Sequence, residues 1–326
     1  MTSRSQYYVV AIDGTGILTF AKRHCSYCLT QTHHGKTVYY HSVLEAKIVA
    51  PNGFALSLMT EFIENRDQKA TKQDCELAAF YRLAQRLKAR FPRLPLLLTL
   101  DGLFANGPVF RICREYGWKF MIVLKDGRLS SANEELEGLS KLEPGNRLAC
   151  VDEAKGTRQD LRWVNDVSYL DSRCGEHRLF VIECLETKQG RSTGKQETRR
   201  FKWVTNCQVK QGNVCELANN GGRIRWKVEN EGFNVQKNGG YGLEHAYTHD
   251  PTSAKVFYFL LQLAHIIQQL IQKGSLLKQV CSGGFGSAKN LAFCLLEAWR
   301  NASLSATAIS TIFHSRLQIR FSADTS

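Results

Sequence analysis

The chain has 326 residues, with 43 Lys and Arg against 30 Asp and Glu, for a net charge of +13. With 43% hydrophobic and 22% charged residues it has the composition of a folded globular protein, which excludes a disordered or low-complexity polymer. The basic balance points to a polyanionic partner, nucleic acid ahead of an anionic membrane surface, and the length allows one large domain or two modest ones.

Tyr7 to Ile12 (YYVVAI) is apolar and predicts a buried strand that ends in a turn at Asp13-Gly14. Further strands are predicted around Thr37 to Val49 and Gly53 to Ile63. From Gln73 to Arg90 the spacing of Leu77, Phe80, Leu83, Ala84 and Leu87 predicts a helix with one apolar face, closed by Phe91-Pro92. Leu94 to Leu100 is a second buried strand and also ends in Asp-Gly, at Asp101-Gly102. A helix is predicted over Val109 to Glu115. A third apolar strand, Trp118 to Leu124, runs into Lys125-Asp126-Gly127.

From there to about Val214 the chain is polar, with short β-like runs at Leu179 to Leu185 and Arg200 to Thr205 joined by a polar turn, Lys188 to Glu197. This block, 127–214, is expected to be a β-rich insertion between a first core segment, 1–126, and C-terminal helices, 215–326. Helical pattern returns over Arg223 to Lys237, Val256 to Gln272 and Leu291 to Trp299. The order β-β-β-α-β-α-β matches an α/β, ribonuclease H-like mixed sheet flanked by helices.

No secretory signal is recognisable, and the longest apolar candidate, Val256 to Ile271, is interrupted by Gln262, His265, Gln268 and Gln269. No membrane is therefore expected as a partner. The eleven Cys are odd in number and scattered, which predicts reduced thiols in a cytosol.

Asp13 and Asp101 each follow an apolar strand and precede Gly. A carboxylate is costly inside a sheet, but at a strand end it can face a cleft where a divalent cation offsets repulsion between acids. Asp-Gly is also a common turn pair. Two such pairs at matching strand ends favour the metal reading, and Asp126 is a rival. A third acid is expected from a helix. In the segment from Arg225 to Glu231, Arg225 and Glu229 are spaced to share a helical face. Glu231, on an α-helix, would point about 200° away from Glu229.

The segment RWKVENEGFNVQK, from Arg225 to Lys237, resembles the third signature of DDE transposases of bacterial insertion sequences: Tyr, two residues, Arg, three residues, Glu, six residues, Lys. Arg225 and Glu229 match; the Tyr position falls on Gly222, and the Lys position on Gln236 with Lys237 one residue late. VVAIDGTG around Asp13 and LLLTLDGLFAN around Asp101 resemble the first two signatures, and residues 72–92 and LQIRF at Leu317 to Phe321 are also transposase-like. The 128-residue gap from Asp101 to Glu229 fits relatives with a β-rich insertion before the Glu helix.

The resemblance implies that Asp13, Asp101 and Glu229 hold two Mg²⁺ or Mn²⁺ ions and catalyse phosphodiester hydrolysis and DNA strand transfer. Arg225 and Lys237, with Lys227 in the same basic cluster, would hold the DNA backbone. The expected partner is double-stranded DNA, transposon ends and target, engaged by a homodimer, in the bacterial cytoplasm at the nucleoid. Relatives usually carry a further N-terminal region, whereas twelve residues precede Asp13. The competing expectations are a truncated, inactive DNA-binding remnant and a metal-dependent nuclease of the same fold.

Cys25-x₂-Cys28, followed by His33, His34 and His41, has the residue types of a zinc site, although a strand pair that happens to hold thiols would read the same way. His245 and His249 lack the intervening Glu of a metalloprotease motif and are expected to pack. Residue 11 is Ala, so AIDGTG is not a phosphoaspartyl motif.

Overall fold

The computed structural model describes residues 7–66, 72–125, 127, 129–152, 156–173, 175–189, 196–274 and 286–314. Asp126 and Leu317 to Phe321 lie outside them. The apolar runs become β1 (Tyr8–Phe20), β3 (Lys36–Val49), β4 (Ala55–Ile63), β5 (Leu96–Leu100) and β6 (Lys119–Val123). A short strand not expected from the sequence, β2 (Leu29–His33), precedes β3. β1 runs antiparallel to β3 and parallel to β5, and β5 is parallel to β6. The outer edge of β3 is shared, residues 36–40 pairing with β2 and 42–49 with β4. The fold is thus α/β with an open, mixed and largely antiparallel sheet.

The expected turn at Asp13-Gly14 is not there. β1 continues to Phe20, because β3 pairs with it beyond Asp13 (Asp13 opposite Glu45, Thr19 opposite Tyr40) and keeps the chain extended through two glycines. On the other side β1 outruns β5, whose pairing with it stops at Ile12 opposite Leu100.

Side chains alternate across β1 as strand geometry requires. Val10 and Ile12 join Leu44, Phe80, Leu83, Leu98, Leu100 and Phe104 in one core, beneath α1 (Glu76–Arg90) and α2 (Gly107–Tyr116). Ala11 points the other way, into a core with Val43, Phe62, Val228, Phe233 and Tyr258. Each such fully buried Leu, Val or Phe contributes about 1.5–3 kcal/mol.

Residues 127–214 hold α3 (Ser130–Leu142), β7 (Arg147–Asp152), β8 (Thr157–Leu170), β9 (Glu176–Gln189) and β10 (Gln196–Thr205). α3, β7 and β8 were not anticipated. These strands form an antiparallel meander that extends the core sheet, β10 pairing with β6 through Trp203 opposite Val123 and Thr205 opposite Met121. The strand order is β2-β3-β1-β5-β6-β10-β9-β8-β7, with β4 on β3. Cys150 of β7 is disulfide-bonded to Cys215, against the expectation of reduced thiols, while Cys25, Cys28, Cys75, Cys113, Cys184, Cys207 and Cys294 are free of disulfides among the described residues.

The segment expected to be a plain α-helix is wound irregularly. α4 (Val214–Glu216) leads into π-helical turns at Leu217–Gly222, a 3₁₀ turn at Arg223–Arg225, a second π-helical stretch at Val228–Phe233, and α5 (Asn234–Asn238). α6 (Pro251–Lys273) follows, capped by Asp250. It buries Tyr258, Gln262, His265, Gln268 and Gln269 and exposes Val256, Phe257, Phe259, Leu260, Leu263 and Ile267, the reverse of a usual amphipathic helix. Its length and composition are sufficient for a membrane crossing in spite of the polar interruptions that weigh against one in the sequence. Those polar residues pack against the sheet: Gln269 bonds both backbone groups of Ala55. α7 (Ala288–Asn301) and α8 (Ala306–His314) complete the described chain.

Candidate active site

Because Ile12 and Leu100 are register partners on parallel strands, Asp13 and Asp101 emerge side by side where β5 ends. Asp101 caps the 3₁₀ turn Gly102–Phe104, its carboxylate accepting from the Leu103 N–H at 2.7 Å and from Lys125 Nζ at 2.9 Å. Gly102 lets the end of β6 approach, since a β-carbon there would lie 3.0 Å from the carbonyl of Val123. Burial pushes the Asp101 carboxyl up, but Lys125 and the Leu103 N–H outweigh it and hold it below its usual value.

Asp13 accepts from Arg225 Nη1 at 2.8 Å, a contact across 212 positions of sequence. Arg225 is only 7% exposed and its Nε has no partner. Burial raises the Asp13 carboxyl above its ordinary range despite Arg225. A third acid, missed in the sequence, joins them: Glu76, in the first turn of α1, leans over Gly14. Burial, then the charges of Asp13 and Asp101, raise its carboxyl too. The available signal was its place at a helix N-terminus, where an acid suits the dipole.

Glu229 is half-buried in the second π-helical stretch, and its carboxylate makes no hydrogen bond or ion pair among the described residues. Glu231 is engaged by Lys227 at 2.8 Å. Of the two acids the sequence left open, Glu229 is the one at liberty to bind something else. π-helical bulges concentrate at functional sites. Asp13, Asp101 and Glu229 do not bring ligand oxygens within 4.8 Å of one another. Their hard oxygen donors nonetheless suit Mg²⁺ or Mn²⁺, and Arg225 and Lys125 now answer the charge such ions would meet.

The departures from the signature have local causes. A side chain at Gly222 would collide with the Trp203 indole, its β-carbon 2.4 Å from Cε2. Gln236 is fully buried and bonds Gln262 and His265, so it cannot reach DNA. Lys237, half-buried beside it, pairs with Glu244 at 2.9 Å. Much of the basic surplus is likewise paired internally: Arg86 and Arg82 with Glu61, Arg223 with Glu186.

No family model matches the chain, and no curated protein matches it. The site's own chemistry therefore carries the functional reading.

Away from this site, Cys25, Cys28 and His41 do come together. His33, the fourth residue of the sequence expectation, ends β2 opposite Lys36, and its side chain is outside the described residues. His24 stands with the other three instead. His249 packs its ring on His24 and Phe20, and His245 on Tyr247; neither belongs to a metal-type cluster among the described residues.

Proposed function

We propose that this chain is a DDE transposase with a ribonuclease H-like core, which cleaves and joins double-stranded DNA. The observation that carries the reading is the side-by-side emergence of Asp13 and Asp101 from neighbouring parallel strands, with Arg225 brought to Asp13 from the segment that holds Glu229. The mixed pairing of β1, β3, β4, β5 and β6, with α1 and α2 between the later strands, supports the same core.

In this reading Asp13, Asp101 and Glu229 hold two Mg²⁺ or Mn²⁺ ions. Bound there, the ions would supply an activated nucleophile and stabilise the leaving oxygen of a phosphodiester. The residues of the chain do the rest. Gly14 makes room for Glu76, and Gly102 for the end of β6, so that these groups close around the two carboxylates. Arg225, which lies against Asp13, would hold a phosphate of the DNA backbone. Lys227 and Lys237 add charge on the same segment. A homodimer on paired DNA ends is the expected working form.

A second reading, a chain that binds DNA without cutting it, draws on the ion pairs that now occupy Asp13 and Asp101. Mn²⁺-dependent nicking of supercoiled DNA separates the two, run beside Asp13→Asn, Asp101→Asn and Glu229→Gln. Cleavage by the parent chain, lost in all three variants while DNA binding persists, supports the transposase. Binding without nicking in any divalent metal gives the second reading its place.

A further inference from the structure

Residues 21–28 join β1 to β2, and of these only Cys28 is buried. No apolar side chain in the connection is packed in a core, so something else must fix its path. His24, Cys25 and Cys28 converge there on His41, which lies on β3 opposite Leu18 of β1. Cys25 Sγ is 3.5 Å from Cys28 Sγ and 3.4 Å from His41 Nε2. Cys28 Sγ is 3.4 Å from His24 Nδ1 and 3.5 Å from His41 Nε2. All four ligand atoms lie within 4.8 Å of one another.

These spacings are those of a coordination shell. A tetrahedral ion with Zn–S near 2.3 Å and Zn–N near 2.05 Å sets its ligand atoms about 3.3–3.8 Å apart. A disulfide would instead bring the two sulfurs to about 2.05 Å. Two thiolates and two imidazoles are soft and borderline donors that select zinc over the hard cations suited to Asp13 and Asp101. Four protein ligands leave no open position, which marks a structural rather than a catalytic ion.

We propose that His24, Cys25, Cys28 and His41 bind one zinc ion that pins the β1–β2 connection to β3. The ion takes the place of a missing local core. Phe20 packs on His24 at a tilt of 51° with ring centres 4.0 Å apart, and Asn65 donates to the Cys28 carbonyl at 2.9 Å, so the surroundings orient the ligands from outside. The same ion anchors the far end of the strand that carries Asp13. It is independent of the carboxylate site, and its test does not involve DNA.

The full-length protein, purified without added metal, is assayed for zinc by elemental analysis, beside Cys28→Ser, His41→Ala and, as a control, Cys75→Ser at an exposed free cysteine. One equivalent of zinc in the parent and in Cys75→Ser, with at least a tenfold loss in the two ligand variants, is the expected result. Should a ligand variant fail to fold, the parent alone decides. Chelation should unmask two extra thiols to a disulfide reagent, and Co²⁺ replacing the zinc should show the visible absorption of a tetrahedral thiolate site. A parent chain that holds no zinc as purified and takes none up on titration overturns the proposal. So does full zinc retention in folded Cys28→Ser and His41→Ala.

Discussion

The carboxylate of Glu76 occupies the space that a side chain on residue 14 would fill: a β-carbon on Gly14 would sit 2.1 Å from Oε1 and 2.5 Å from Cδ. Gly14 is extended within β1, so its missing side chain matters for contact rather than for backbone freedom. Gly14→Ala must push Glu76 aside, at a cost of about 1 kcal/mol, the low end for overpacking because the obstructing atoms end a flexible side chain. Glu76→Ala should remove most of that cost. A double-mutant cycle by urea denaturation measures the coupling, and additive effects of the two changes would sink the idea.

Arg225 and Asp13 form an ion pair that ties the second half of the chain to β1 at the cleft. With the guanidinium almost wholly buried, Arg225→Ala leaves Asp13 uncompensated and should destabilise by about 3–5 kcal/mol. Asp13→Asn in the same background should recover part of the loss. Thermal melts of the single and double variants give the answer directly, and equal stability of parent and Arg225→Ala would contradict the buried pair.

Lys47 is fully buried, 3.9 Å from Glu45 and 2.8 Å from Gln262 Oε1. Glu45 also accepts from Thr60 at 2.6 Å, from Tyr258 at 2.8 Å and from Ser57. Lys47→Met removes the cation beside a buried carboxylate and should cost about 3–5 kcal/mol, whereas Lys47→Met with Glu45→Gln should cost clearly less. Chemical denaturation of both variants distinguishes a needed charge pair from mere bulk.

His265 gives a pH dependence with a definite sign. Burial, aided by Lys47 and Lys273, lowers its imidazole from 6.5 to about 3, so the folded protein keeps it neutral while the unfolded chain protonates it. Its contribution is therefore intact above pH 6.5 and is lost as the pH falls towards 3, with a slope of about 1.4 kcal/mol per pH unit. His265→Gln should flatten that part of the stability profile. A parent and variant with parallel profiles between those limits would count against a buried neutral His265.

Asp101 was readable because its strand truly ends there, and Asp13 was found for a partly wrong reason. The Asp-Gly pair looked like a turn, yet β3 holds β1 extended past it, and only the shorter β5 makes Asp13 a strand-end neighbour. Glu76 carried only the general signal of an acid at a helix N-terminus, and Lys125 none, because nothing local marks a contact made by packing a helix or a neighbouring strand over the cleft. His24 was legible in principle, standing directly before Cys25, but spacing alone favoured residues further along. The winding of 217–233 was missed because a 3.6-residue period was assumed where the chain makes wider turns. α6 misled in the opposite sense: most of its buried face is glutamine and histidine, held by hydrogen bonds, with Tyr258 as the buried aromatic among them.

The pairing of β10 with β6 also bears on how the molecule comes apart. Trp203 packs with Leu97 and Met121 of the central strands and with Phe180 and Ile182 of the meander, so one apolar cluster straddles what composition divides into separate blocks. Cutting residues 127–214 away would strip a long neighbour from β6 and leave its amide and carbonyl groups unpaired along a greasy edge, an invitation to aggregate. The meander is not a detachable module, and the blocks seen in the sequence should unfold in a single cooperative step.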